Sequence, residues 1–460
     1  MTTILLSINF INFILFRNHW KKLFYLFIFF IPYLGYIQLK ISYYTVLAPL
    51  IHDFIFIIPL YLIFIFTNKR INILPNDLKR LIFIFILLLI IQLVNPYNEL
   101  SFVSRLVGLK VWIFYFFLIV IGYNLITNTT DLKKFCNFFS LSALIPCLIG
   151  NLLYLLCLIY GYREIMTLFY NDASLAFSAT QKFAQFEYGS FKYYRIPSTF
   201  SYSTQYLNFC LLALMTTITS IFLSNTLREK RFYKYLLILI IISSFFTGNR
   251  GSALYLIIFF LFFTFQHYTI KDIKFLLSKI LIFFMLVFFI YKNLPMAEQI
   301  VTLGQSYAVE SFFKDFGENL SAYFLGAGLG NATAGVRYIS ITDLKAINEG
   351  FYWKIIVELG IPGLLIVLFL FFNYIRQIKI AKIRLFNHNE KVLCNCFYSY
   401  IAYQLIVGFK SWVYFEGYPA NFIFFLLLGI ILKLGSVEYI VESNSNSHQS
   451  IHLNMKYNHD

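Results

Sequence analysis

The chain has 460 residues, 60% of them hydrophobic and only 13% charged, with a mean hydropathy of +0.72 and a formal net charge of +16. A water-soluble domain carries about 25% charged residues, so this composition excludes a chain coated by water on all sides and leaves a bilayer as its solvent. In a bilayer only helices or closed barrels satisfy the backbone, and the continuous rather than alternating apolar runs select helices.

In chain order, residues 1–16 form an apolar stretch that precedes the charges of "RNHWKK" and is followed by no small-residue cleavage site. It reads as an interfacial helix, with a thirteenth span as the alternative, and not as a cleaved signal peptide. A spanning helix needs roughly 20 apolar residues. On that basis the fold expected is all-α and polytopic, with about 12 spans: 23–38, 50–66, 80–95, 111–127, 138–159, 206–223, 235–248, 251–267, 279–292, 351–373, 394–409 and 420–434. The shorter ones must extend into polar flanks or thin the bilayer.

Lys and Arg alternate from one connection to the next. They gather in "RNHWKK", "TNKRINILPNDLKR", "DLKK", "LREKRFYK", "KDIK" and "RQIKIAKIRLFNHNEK". The positive-inside rule makes those connections cytoplasmic, with both termini on that side. Two longer loops, 160–205 and 293–350, then face outward. Residues 1–435 form a single membrane domain, and the polar, low-complexity tail 436–460 is expected to be disordered. The positive charge reflects this bias and contact with anionic membrane lipids, and needs no nucleic acid.

The six cysteines, Cys136, Cys147, Cys157, Cys210, Cys394 and Cys396, lie in or beside apolar runs. They show no disulfide framework or zinc spacing, and the histidines are scattered. No metal and no cofactor is expected.

The outward connections carry three arginine-centred segments. Arg195 lies in "KYYRIPSTFSYSTQYLNF", among hydroxyl and aromatic side chains that suit a sugar or a phosphate. Arg250 sits in "FFTGNRGSALYL", between Gly248 and Gly251, in a tight reversal between two helices. It either snorkels to headgroups or aims a guanidinium fork at phosphate oxygens. Arg337 follows the glycines of "GAGLGNATAG". That stretch is no dinucleotide fingerprint, since no strand precedes it. Next comes "INEGFYWKIIVELGIPG". Glu349 stands just before a helix starting near Phe351, where a carboxylate favours the helix dipole. Glu358, two turns inside, reads as structural, paired with Lys354 at i−4. Asp53 beside His52 marks a second polar site at a span mouth.

Taken together, "FFTGNRGSALYL", a long outer loop, "LGAGLGN" and "NEGFYWKIIVELGIPGLLIVLFLFF" resemble the bacterial O-antigen ligase and polymerase superfamily, best over about 240–375. The resemblance implies a GT-C-like helical bundle in the bacterial cytoplasmic membrane. It also implies glycosyl transfer at the outer face from undecaprenyl-pyrophosphate-linked oligosaccharide. Ligases carry His-Asn where this chain has Glu349 and Gly350, which points to the polymerase branch. On that reading Glu349 and Arg250 are catalytic. Arg195, Arg250, Arg337 and Asn331 bind pyrophosphate and glycan, and a chain-length regulator and a flippase are pathway partners. The alternatives are a ligase acting on lipid A core or protein, and a secondary transporter. The transporter is disfavoured because mid-span segments hold few ionisable residues.

Overall fold

The computed structural model describes residues 12, 14–17, 19–42, 52–67, 74–188, 191–249, 252–267, 323–333, 336, 350–409, 417–436 and 439. The described chain is mostly helical. In order it comprises α1 (Trp20–Ser42), a π-helical turn (Asp53–Ile57) running into α2 (Ile58–Thr67), α3 (Asn76–Leu93) and α4 (Phe102–Ile113). A 3-10 turn leads to α5 (Phe117–Leu125), followed by α6 (Thr129–Ser142), α7 (Leu144–Tyr160), α8 (Tyr162–Tyr170) and α9 (Ala173–Ala179). Then come β1 (Gln185–Tyr188), β2 (Phe191–Tyr194), α10 (Ser203–Leu223), α11 (Leu227–Phe246), α12 (Ser252–His267), α13 (Phe351–Arg384), α14 (His388–Val407) and α15 (Ala420–Leu434).

Among the described residues, five helical runs are long and apolar enough to cross a membrane: Trp20–Ile41, Phe102–Leu125, Thr129–Tyr160, Ser203–Leu223 and Phe351–Arg384. A helix also stands at every other predicted span except 279–292, which lies outside the described residues.

Three sequence expectations change. The loop expected at 160–205 is largely structured, and within a mostly helical chain it carries one two-stranded ribbon. Strands β1 and β2 pair antiparallel, Gln185 opposite Tyr194. The helix expected at 111–127 begins at Phe102, because Arg105 does not need solvent. Its guanidinium turns back onto the carbonyls of Leu93, Asn95, Asn98 and Leu100. Finally, "RQIKIAKIR" is no loop but the end of α13. Tyr374, Ile378 and Ala381, followed by Leu385, are buried at helical spacing and carry the helix past its apolar stretch.

The core forms around α10, whose span is 94% buried. Its polar residues are tolerated there because Thr216, Thr217 and Thr219 donate to carbonyls one turn back. At the crossing of α5 and α15, a Cβ on Gly122 would meet the Leu426 carbonyl, and one on Gly429 the Ile119 carbonyl. Small residues there let the backbones touch.

One end of the bundle gathers ionic contacts. Lys21 pairs with Asp131 at 3.7 Å, Lys133 with Glu229 at 2.9 Å, and Arg376 with Asp77 at 3.4 Å. Arg384 donates to the Gly435 carbonyl at 2.9 Å, and Lys382 to that of Gln266. The hydrogen bond from Lys133 holds the Glu229 carboxyl below its usual range. All these residues come from helix ends that the charge pattern placed on one side.

Candidate functional site

The opposite end is built around the glycine-rich loop 323–333. Gly326, Gly328 and Gly330 have φ of 85°, 96° and 92°, left-handed values open to glycine without strain. The loop enters a break in α13, where Gly360 leaves helical geometry (φ 72°, ψ −172°) and Pro362 has no N–H to donate. The Val357 carbonyl, freed from its helical partner, accepts from Ala327 N at 2.7 Å. Ile361 N donates instead to the Phe324 carbonyl at 3.0 Å. The kink and the loop thus satisfy each other's backbone groups.

The α3–α4 connection supplies the other wall. Gln92 Nε2 donates to the Leu325 carbonyl at 2.6 Å, and Asn98 Nδ2 to that of Leu329 at 2.9 Å. Asn95 Nδ2 reaches the Gly326 carbonyl at 3.3 Å. Gly108 of α4 lies so close that an added Cβ would stand 2.5 Å from Gly330 N.

Glu358 fastens this assembly from below and is fully buried. Its Oε1 accepts from Ala332 N at 2.9 Å and Thr333 Oγ1 at 2.8 Å, and its Oε2 from Trp112 Nε1 at 2.7 Å. Thr333 Oγ1 also receives Lys354 Nζ at 3.4 Å, so the expected Lys354–Glu358 neighbours meet through a threonine. The Lys354 ammonium lies 5.5 Å from the Trp112 ring centroid. Beside it opens a cavity of about 70 Å³, lined by Phe85, Trp112, Phe351, Lys354, Phe371 and Asn421 among others.

A second polar cluster occupies the other side of α4. Tyr115 OH donates to Asp53 Oδ1 at 3.0 Å, and His52 Nε2 lies 3.2 Å from the same oxygen and 3.1 Å from Tyr115 OH. Lys110 forms an ion pair with Asp53 Oδ2, and the Tyr418 ring packs on His52 at 4.6 Å. Asp53, named from sequence, therefore sits in a built network. Breaking a fully buried ion pair costs about 3–5 kcal/mol. The Lys110 side chain keeps 24% exposure, so Asp53→Asn should cost less, about 2 kcal/mol, read as a lower unfolding temperature in detergent. Asp53→Asn with Lys110→Met should recover part of the loss. An unchanged melting curve for Asp53→Asn would show that the pair contributes nothing.

Of the residues singled out from sequence, Asn331 is a strut of the loop. Its Nδ2 donates to Asn98 Oδ1 at 3.1 Å and to the carbonyls of Ala327 and Gly328, each at 3.0 Å. Arg195 follows β2. Its amide donates to the Ala184 carbonyl at 3.3 Å, and its carbonyl accepts from Tyr162 OH at 2.7 Å. Gly248, after α11, packs directly on it, so that a Cβ there would lie 2.7 Å from Arg195 Cα. The segment carrying Arg195 and the turn leading to Arg250 are therefore side by side. Arg250, Arg337 and Glu349 lie outside the described residues.

Two described residues, Asn249 and Gly350, adjoin these stretches. Asn249 follows α11, whose start carries Glu229, and Gly350 precedes α13, whose far end carries Arg376 and Arg384. Both therefore stand at the end opposite the ionic contacts, with the glycine loop. Sequence reasoning missed Trp112, Lys110, Gln92, Asn95 and Asn98. The amide-rich "NPYNEL" between two apolar runs was the available signal for the last two. No protein-family model matches the chain, and no curated protein matches it significantly.

Proposed function

We propose that the chain is a bacterial membrane glycosyltransferase, with both termini cytoplasmic, that joins undecaprenyl-pyrophosphate-linked oligosaccharide repeat units into a surface polysaccharide at the outer face of the cytoplasmic membrane. The observation that carries the reading is the shared end. The Arg195 segment lies against the turn before Arg250, and the residue after Glu349 stands at the same end of the bundle. A membrane-embedded helical chain with cationic and acidic groups on one rim suits a donor anchored by a lipid.

In the reaction, the acceptor hydroxyl oxygen attacks the anomeric carbon, and the bond from that carbon to the pyrophosphate oxygen breaks. The lipid pyrophosphate leaves with the electron pair, and the configuration inverts. Arg250 and Arg195, with Arg337, bear the charge that develops on the diphosphate. Glu349 takes the hydroxyl proton. The glycine loop, held by Glu358 and Asn331, shapes the rim without touching the reacting atoms. A carboxylate at position 349 in place of a histidine favours polymerisation over ligation.

Arg250→Ala and Glu349→Gln, each expressed in the native host, should collapse the surface glycan ladder to single repeats while the protein remains in the membrane. Removing one such charge-stabilising donor typically costs about 10²–10³-fold in rate. Full-length ladders in both variants would overturn the site assignment. A gene deletion that leaves long chains on the lipid carrier would replace polymerase by ligase.

A further inference from the structure

The ion-paired end carries an open cleft of about 480 Å³ between α6 and the connection before α11. Its walls include Lys133, Lys134, Asn137, Phe138, Leu141 and Asn225. The helical run Thr129–Tyr160 has 32 residues. At 1.5 Å per residue it is roughly 48 Å long, against about 30 Å of hydrocarbon. About 18 Å therefore lies at headgroup depth, and the polar end that holds the lysines is the part excluded from hydrocarbon.

Below the cleft, Leu141, Ile145, Leu148, Leu152, Leu155 and Ile159 are all exposed, between 43% and 70%. Their alternating spacing of four and three residues makes one continuous stripe along the helix. Leu141 belongs to both the cleft and the stripe.

Charge singles out one kind of occupant. The two nearby acids are already engaged, Asp131 by Lys21 and Glu229 by Lys133. The exposed Lys134 carries its ammonium 5.2 Å from the Tyr25 ring centroid. Arg228, Lys230, Arg231 and Lys234 in the first turns of α11 add positive field.

We infer that this cleft binds one anionic diacyl phospholipid, for which phosphatidylglycerol is the probe. The phosphate meets Lys133, Lys134 and the side-chain amide of the exposed Asn225, whose backbone N–H is already donated to Glu229 Oε2 at 3.3 Å. An acyl chain follows the stripe from Leu141 to Ile159. The inference is independent of the glycosyltransferase reading.

The test is native mass spectrometry of the full chain in detergent. Phosphatidylglycerol, phosphatidylcholine or sn-glycerol 3-phosphate is added singly, and the last is also used as competitor. Phosphatidylglycerol should be retained over phosphatidylcholine. Lys134→Gln, which leaves the Lys133–Glu229 pair intact, should cut retention about fivefold, the equivalent of ~1 kcal/mol for one lysine near an anionic headgroup. Lys379→Gln, an exposed lysine elsewhere at the same end, should not change it. Equal retention of the two lipids would overturn the site, as would an equal loss with Lys379→Gln. So would displacement by glycerol 3-phosphate, which would make the ligand a free phosphate.

Discussion

Glu358→Ala will loosen the glycine-loop end of the bundle more than any other single carboxylate replacement among the described residues. The side chain is the common acceptor for three donors on two other chain segments: Trp112 Nε1, Ala332 N and Thr333 Oγ1. Alanine leaves all three buried without a partner, at about 1–3 kcal/mol each. The total is about 3–6 kcal/mol, since some donors will recover water. Thermal unfolding in detergent should show the loss, with increased protease cleavage within 323–333. Glu358→Gln should cost less, because the amide oxygen still accepts, but its NH₂ must face one of the same donors. If alanine and glutamine both melt with the native chain, the carboxylate is not what fastens the loop.

Apolar runs of span length, and the alternation of Lys and Arg between them, are local signals, and the helices and their ionic ends follow them. The glycines of 326–330 and the "GIPG" of α13 were each readable as breaks in regular structure. Their mutual insertion was not, because it pairs backbone groups about 30 residues apart across a loop of no periodicity. The third wall is more distant still. Asn98 and Leu329, or Gln92 and Leu325, are separated by more than 230 residues. No periodicity within either segment encodes such a contact.

The same limit hides how particular side chains are held. Glu358 was expected to pair with its helical neighbour, the default for i−4 charges on an exposed face. Burial reverses that default, since a carboxylate without water needs several directed donors rather than one flexible ammonium. Asn331 reads as a ligand-binding amide in a glycine-rich motif, yet its donor capacity is spent on Asn98, Ala327 and Gly328. The strands of the 160–205 loop went unseen because a four-residue ribbon carries too few alternations to register.

Gly248→Ala tests the proposed chemistry through geometry rather than charge. The new Cβ would stand 2.7 Å from Arg195 Cα and closer still to the Tyr194 carbonyl, both backbone atoms that no rotamer can move aside. The native φ of 67° adds about 1–2 kcal/mol for any L side chain. The Arg195 segment and the turn before Arg250 must therefore separate, with every ionisable group in place. If the two guanidinium groups share one diphosphate, a displacement of about 1 Å can cost about 10²-fold in rate. The glycan ladder should shorten to its lowest rungs at undiminished protein level. Gly435→Ala is the control: its Cβ would meet the Ala381 side chain at 3.0 Å, at the ionic end, and the ladder should be unaffected. A native ladder from Gly248→Ala would mean that the closeness of the two segments serves packing alone, and that Arg195 and Arg250 do not act on the same phosphate group.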